Sequence, residues 1–204
     1  MIPFVKMQGI GNDFVLLDGI GASLPSQDLG RLSVEICDRR LGVGADGLIL
    51  LERGTDHPLR MRMFNPDGSE SEMCGNGLRC FGKLAWDRGY VDEEQAQVET
   101  GAGVLVIFRV APDRFRVDMG VARRTAEQPI DLGRQGLKGV VISMGNPHLA
   151  VLVQDVEAVP LEEWGPELEH HPAFPHRTNV HFVQVLDRTH LRQRTWERGA
   201  GVTL

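Results

Sequence analysis

A chain of 204 residues, 42% of them hydrophobic and 25% charged, has the composition of one folded domain or two small ones. Its formal net charge of −6 argues against a nucleic-acid partner, which would call for a basic face. No apolar run reaches the ~20 residues of a membrane span. Lys6, Gln8, Asn12 and Asp13 interrupt the apolar start too often for a signal peptide, so neither a membrane partner nor export is expected and the expected location is cytoplasmic.

In chain order, Phe4 to Met7 and Phe14 to Leu17 read as strands around a Gly9-Ile10-Gly11-Asn12-Asp13 turn. Leu29, Leu32 and Ile36 keep helical spacing, which predicts a helix over 27–40 that stops near Gly42. Leu48 to Leu51 is a short buried-strand run. Leu59, Met61 and Met63 alternate with Arg60 and Arg62 in a half-buried strand that stops at Asn65-Pro66-Asp67-Gly68, a turn sequence. After Met73-Cys74-Gly75-Asn76, Leu78, Phe81 and Leu84 return to helical spacing, and Gly89 supplies a stop. Cys74 therefore falls at the start of a helix. Further strands are expected at 96–100, 104–109, 114–119, 139–144, 149–153, 180–186 and 191–196, with a short helix at 161–170. Many strands, few helices and short connections mean an α+β fold. A polar stretch near Met119–Thr125 suggests two domains, 1–118 and 119–204.

The two halves repeat faintly. Gly11-Asn12 precedes Phe14-Val15-Leu16-Leu17, and Gly145-Asn146 precedes His148-Leu149-Ala150-Val151; further on, Met63-Phe64-Asn65 and Thr195-Trp196-Glu197 each end a strand in a turn at nearly the same spacing.

Three cysteines, Cys37, Cys74 and Cys80, are too few and too odd for a disulfide framework and raise the question of a reactive thiol. Cys37 and Cys80 lie within amphipathic helical patterns and read as buried small hydrophobes. Cys74 lies among glycines at a helix start, where a thiolate is favoured. Gly75, Asn76 and Gly77 offer backbone N–H groups at the same place, suited to a carboxylate. His170, His171 and His176 cluster, but Pro172 and Pro175 break the run and no metal site is expected there.

Seven segments in order, Gly9-Ile10-Gly11-Asn12-Asp13-Phe14, Gly44-Ala45-Asp46-Gly47, Phe64-Asn65-Pro66-Asp67-Gly68-Ser69-Glu70, Met73-Cys74-Gly75-Asn76-Gly77, Gly145-Asn146-Pro147-His148, Thr178-Asn179-Val180 and Trp196-Glu197-Arg198-Gly199-Ala200-Gly201, resemble the motifs of the diaminopimelate epimerase family. The resemblance implies two pseudosymmetric halves, each a curved sheet around a central helix. It implies interconversion of LL- and meso-diaminopimelate for lysine and cell-wall precursor synthesis, with no cofactor and no metal. Inversion needs a base on one face of the α-carbon and an acid on the other. The resemblance makes Cys74 one of these and makes Asn12, Asn65, Gly75, Asn76, Asn146, Asn179, Glu197 and Arg198 substrate-binding residues, with His148 beside them. Diaminopimelate is then the small-molecule partner, and a homodimer stays an open expectation. The family continues past the Gly-Ala-Gly stretch into a second Cys-Gly-Thr-Gly motif and a helix. On that likeness the second half of this chain is expected to be incomplete and its activity impaired. His181, where relatives often carry an acidic residue, reads as a peripheral difference. Three other readings stay open: a non-catalytic amino-acid-binding remnant, another cofactor-independent racemase such as proline racemase, and a thiol hydrolase with Cys74 as nucleophile and His148 as base.

Overall fold

The computed structural model describes residues 2–22, 28–125, 130–133 and 137–203. The chain divides into two compact units, Met1–Gly120 and Val121–Leu204.

The first unit holds strands β1 (Val5–Gly9), β2 (Asn12–Asp18), β3 (Gly47–Glu52), β4 (Leu59–Phe64), β5 (Glu70–Ser71), β6 (Gln95–Thr100), β7 (Gly103–Ala111) and β8 (Arg114–Asp118), with helices α1 (Leu29–Cys37) and α2 (Gly75–Asp87). They form one sheet in the order β1-β2-β3-β4-β6-β7-β8, with β5 on β4. The β2–β3 and β4–β6 pairs are parallel and the others antiparallel. The unbroken apolar runs of β2 and β3 follow from burial on both faces. Phe14, Leu16, Ile49 and Leu51 point to the α2 core, while Val15, Leu17, Leu48 and Leu50 point to α1.

Helix α1 is shorter than the expected 27–40. Asp28 caps its start, accepting from Gly30 N, and at the other end the Asp38 carboxylate takes the N–H groups of Arg40 and Leu41, each at 2.7 Å. A side chain competing for backbone donors ends the helix just past Ile36, the last residue of the apolar spacing. Helix α2 stops as expected, with Arg88 as C-cap and Gly89 at φ +70°. It touches both edge strands, β1 and β8, as well as β2, β3 and β7, so the sheet curls around it. Leu78, Phe81 and Ala85 are fully buried inside that curl, and the Trp86 and Phe115 rings meet at 5.4 Å. Truncating a plug such as Phe81 to alanine costs about 3–5 kcal/mol.

The second unit contains β9 (Arg123–Arg124), β10 (Ile130–Asp131), β11 (Lys138–Ser143), β12 (Pro147–Leu152), β13 (Asn179–Val185), β14 (Leu191–Glu197), β15 (Gly201–Thr203) and helix α3 (Leu161–Glu169). The sheet order is β10-β11-β12-β13-β14-β15, with β9 on β11, and β12–β13 is its parallel pair. Leu161 and Leu168 of α3 pack with Leu149, Val151, Val180, Phe182 and Trp196 on one face of this sheet.

The faint sequence repeat is a repeat of topology. In the first unit a hairpin (β1-β2) leads through a crossover helix (α1) into a parallel strand (β3), then an antiparallel partner (β4) and a short strand (β5) paired with it. In the second, β11-β12, α3, β13, β14 and β15 do the same. The short strands β5 and β15 carry too few residues to show a period in sequence. Among the described residues, no helix is long and apolar enough to cross a membrane.

Candidate active site

In the first unit the expected residues lie at the start of α2, in the β1–β2 hairpin and at the end of β4. Cys74 is the helix N-cap, in extended conformation at φ −145°, and its Sγ accepts the N–H of Gly77 at 3.5 Å. It is half-buried, whereas Cys37 and Cys80 are 4% exposed. Burial raises the Cys37 thiol and pushes the Cys80 thiol up to about 11. Close packing sets the backbone there. A Cβ on Gly77 would meet Ile49 Cδ1 at 2.7 Å, and one on Gly75 would meet Met119 Sδ at 3.2 Å. Arg79 Nη2 donates to Asn76 Oδ1 at 2.6 Å, which fixes the Asn76 amide.

Two loops carry the other first-unit candidates. The β1–β2 hairpin turns through Ile10 at φ +57° and Gly11 at φ +81°, the tight geometry its twist demands. A Cβ on Gly9 would lie 3.1 Å from Asn76 O, so hairpin and helix are in close contact. Asn12 follows the turn, 7% exposed, and its Oδ1 is buried without a hydrogen-bond partner. Asn65, 5% exposed, ends β4; its backbone carbonyl accepts from Ser33 Oγ and Gly68 N, and its Nδ2 donates to Ser69 Oγ.

Sequence reasoning missed what holds the hairpin. Asp13 pairs with Lys6 at 3.0 Å and Arg39 at 2.7 Å, Arg39 also reaches Asp46 at 2.8 Å, and Asp46 Oδ2 accepts the Asp13 N–H. Burial would raise the Asp13 carboxyl, but the bonds from Arg39, Lys6 and Asp46 outweigh it and hold the group well below the usual carboxylate range. Two of the quoted motifs are thus stapled to each other by charge.

In the second unit Asn146, His148, Asn179, Glu197 and Arg198 come from the β11–β12 turn, β12, β13 and the β14–β15 turn. Asn179 joins two of these loops. Its Nδ2 donates to Pro147 O and its Oδ1 accepts the Arg198 N–H, both at 3.0 Å. Glu169, at the end of α3, holds the second loop from below. Only 4% exposed, it accepts from Trp196 Nε1, Gly199 N and Arg177 Nη1. Nothing in the sequence singles it out. Arg198 is 8% exposed and donates to His176 O. His170 and His171 serve the end of α3, the first through a bond to Pro166 O and the second by accepting from Ala173 N.

His181 is not peripheral. Its Nε2 lies 2.8 Å from His148 Nδ1, and His148 Nε2 lies 2.7 Å from Asn146 Oδ1. Burial, with a smaller push from His148, takes the His181 imidazole down to about 4; burial, then Arg198, lowers His148. The consequence is a pH-dependent stability. An unfolded histidine titrates near 6.5. As pH falls below that, the unfolded chain takes up the proton that folded His181 refuses until about 4. The contribution of this group is therefore complete above pH 6.5 and is lost between 6.5 and 4, by about 3 kcal/mol at the acid end. Urea melts at pH 7.5 and pH 5.0 should differ in this direction, and His181→Gln should reduce the difference.

Residues 4–125 and 140–204 match the family described as Diaminopimelate epimerase. A diaminopimelate epimerase from Moorella thermoacetica is 47% identical, the match covering 98% of this chain and 78% of that protein. One from Pelotomaculum thermopropionicum is 44% identical over the same shares. Among solved structures, a probable proline racemase from Agrobacterium radiobacter has the same fold over 99% of this chain and 72% of that one, with a TM-score of 0.74 at 16% identity.

Proposed function

We propose that this chain, which belongs to the diaminopimelate epimerase family, inverts one α-carbon of diaminopimelate in the cytoplasm, without pyridoxal phosphate or metal, by thiol acid/base chemistry. The observation that carries the reading is the Cys74 thiol at the α2 N-cap, with an N–H from Gly77 on its sulfur. A helix start and a donated N–H both favour the thiolate that must remove an α-proton. The N–H groups of Gly75 and Asn76 at the same helix start suit the substrate α-carboxylate and the charge that develops beside it. A two-base inversion also needs a carrier on the opposite face, and the buried Cys37 and Cys80 do not suit that part. The domains 1–118 and 119–204 are the two halves of the enzyme, and Asn146, Asn179, Glu197 and Arg198 are the binding residues carried by the second. The hydrolase reading is weaker because both ring nitrogens of His148 are already engaged, by His181 and Asn146. The test is conversion of LL- to meso-diaminopimelate, followed by chiral chromatography in the protein as its gene encodes it, with no cofactor added. No conversion, and no α-proton exchange, would overturn the assignment.

The orphaned Asn12 Oδ1 supports a ligand at this place and gives a two-sided prediction. A buried acceptor without a donor costs about 1–3 kcal/mol, which a ligand N–H would recover. Asn12→Leu should therefore stabilise the ligand-free protein by about 1 kcal/mol while weakening diaminopimelate binding about tenfold or more. A variant that is both less stable and equally tight would remove Asn12 from the site.

A further inference from the structure

The contact between two half-buried imidazoles has a direction built into it. Asn146 Oδ1, His148 Nε2, His148 Nδ1, His181 Nε2 and His181 Nδ1 form one continuous chain with links of 2.7 and 2.8 Å. Its far end lies against β14, where Gln193 Nε2 is 3.1 Å from His181 Nδ1 and 2.9 Å from Thr195 Oγ1, and Thr195 Oγ1 is itself 3.1 Å from His181 Nδ1. Each neutral imidazole has one N–H and one acceptor nitrogen. An amide oxygen can only accept, so His148 must carry its proton on Nε2. Its Nδ1 is then an acceptor and must receive the Nε2 proton of His181. That leaves His181 Nδ1 to accept from Gln193 or Thr195, both of which can donate. Every link donates towards Asn146. Reversing one link would require both imidazoles to change tautomer and the Asn146 amide to turn over in the same event.

The surroundings keep the pair neutral. In strand register His148 stands opposite Ile142 of β11 and Asn179 of β13, and His181 opposite Ala150 of β12 and Thr195 of β14, all uncharged. The charge that acts on His148 is the guanidinium of Arg198, which opposes a second proton.

We propose that His181 is a positioning residue of the amino-acid site: acting through His148, it holds the Asn146 amide with its oxygen towards the imidazole, so that Asn146 offers N–H donors to the ligand and reads a carboxylate rather than an ammonium group. The proposal rests on Asn146 being a ligand-binding residue, as set out above. An acidic side chain in place of His181 could not give a proton to His148 Nδ1 unless it were itself protonated. It would favour the imidazolium instead, adding a positive charge beside the site. The histidine gives the same amide orientation with no added charge, which makes the ligand-facing side of this site less cationic than a carboxylate at position 181 would.

Long-range proton–nitrogen correlation spectra of the nitrogen-15-labelled protein at pH 7.5 test the chain directly, with signals assigned through His148→Gln and His181→Gln. The expected result is a neutral His148 and a neutral His181, both protonated on Nε2. A His148 protonated on Nδ1, or on both nitrogens, overturns the proposal whatever the activity. Calorimetric titration with LL-diaminopimelate supplies the second arm. His181→Phe keeps a ring but has no N–H to give, and should weaken binding about tenfold. His181→Gln, whose Nε2 can donate to His148 as the imidazole does, should restore binding to within about threefold of the parent. Equal binding by all three proteins overturns the positioning role. Asn146→Ala separates the two levels: unchanged binding there removes Asn146 from the site and defeats the underlying reading, even if the tautomers are as expected.

Discussion

Cys74→Ala is expected to abolish exchange of the diaminopimelate α-proton with heavy water, a loss of ~10³-fold or more, the scale on which positioned acid/base groups act. No neighbouring group can take over its place. Cys80 sits two turns further along the same helix but is 4% exposed in the α2 core, with its thiol pushed up to about 11, so almost none of it is ionised at neutral pH. Cys80→Ala should therefore leave exchange nearly intact and cost about 1–2 kcal/mol of stability through the small cavity it opens. Alkylation should separate the thiols in the same order: iodoacetamide modifies Cys74 first, and diaminopimelate protects it. Cys74→Ser is the sharper control, because a hydroxyl accepts the Gly77 N–H in the same cap position yet is far too weak an acid to hold a neutral-pH anion. Its melt should match the parent while its exchange stays near background. Normal exchange in either Cys74 variant would end the thiol mechanism.

Much of this could be read from residue order, for identifiable reasons. Helix α2 announced itself through Leu78, Phe81 and Leu84 on its buried face, and its end through Gly89, which supplies the positive φ that a helix stop takes. The paired runs of β2 and β3 were legible as strands, but their parallel pairing was not. Pairing depends on where α1 returns the chain, which no local pattern records. Helix α1 was overextended because Asp38 acts through a side-chain bond that apolar spacing does not reveal. For the proposed site, the glycines around Cys74 marked a helix start, since close backbone approach leaves glycine as its trace, while Asn12, Asn65, Asn146 and Asn179 read as turn formers and only the family resemblance made them candidates. His181 was passed over. It follows Asn179 and Val180 on a plain strand, and only the parallel register of β12 on β13 brings it to His148. The charge staple of Asp13, Arg39 and Asp46 likewise joins β2 to both ends of the α1–β3 connection, and sequence shows its members without their meeting.

Glu169 carries the second large effect, and it was the least visible of all. Its carboxylate lies at the end of α3, 4% exposed, and receives three donors: Trp196 Nε1 at 2.7 Å, Gly199 N at 3.0 Å and Arg177 Nη1 at 3.2 Å. Two of these donors bracket Glu197 and Arg198, so one buried anion fixes both ends of the β14–β15 turn that presents them. Glu169→Ala leaves the Trp196 and Gly199 N–H groups without their acceptor in a closed space and removes the anion that Arg177 faces. Breaking a buried, hydrogen-bonded charge pair from one side costs about 3–5 kcal/mol. Glu169→Gln keeps one carbonyl oxygen for one of the donors and should lose about half as much. Urea unfolding should rank the three proteins parent, Gln, Ala, and the Ala variant should lose diaminopimelate affinity beyond what its folded fraction explains, because the turn is no longer held. The alkylation rate of Cys74 should be the same in all three, since the donors that Glu169 receives, Trp196, Gly199 and Arg177, all belong to the second unit. An Ala variant as stable as the parent would show that water replaces the carboxylate at no cost, and the β14–β15 turn would then owe its geometry to Asn179 and strand pairing alone.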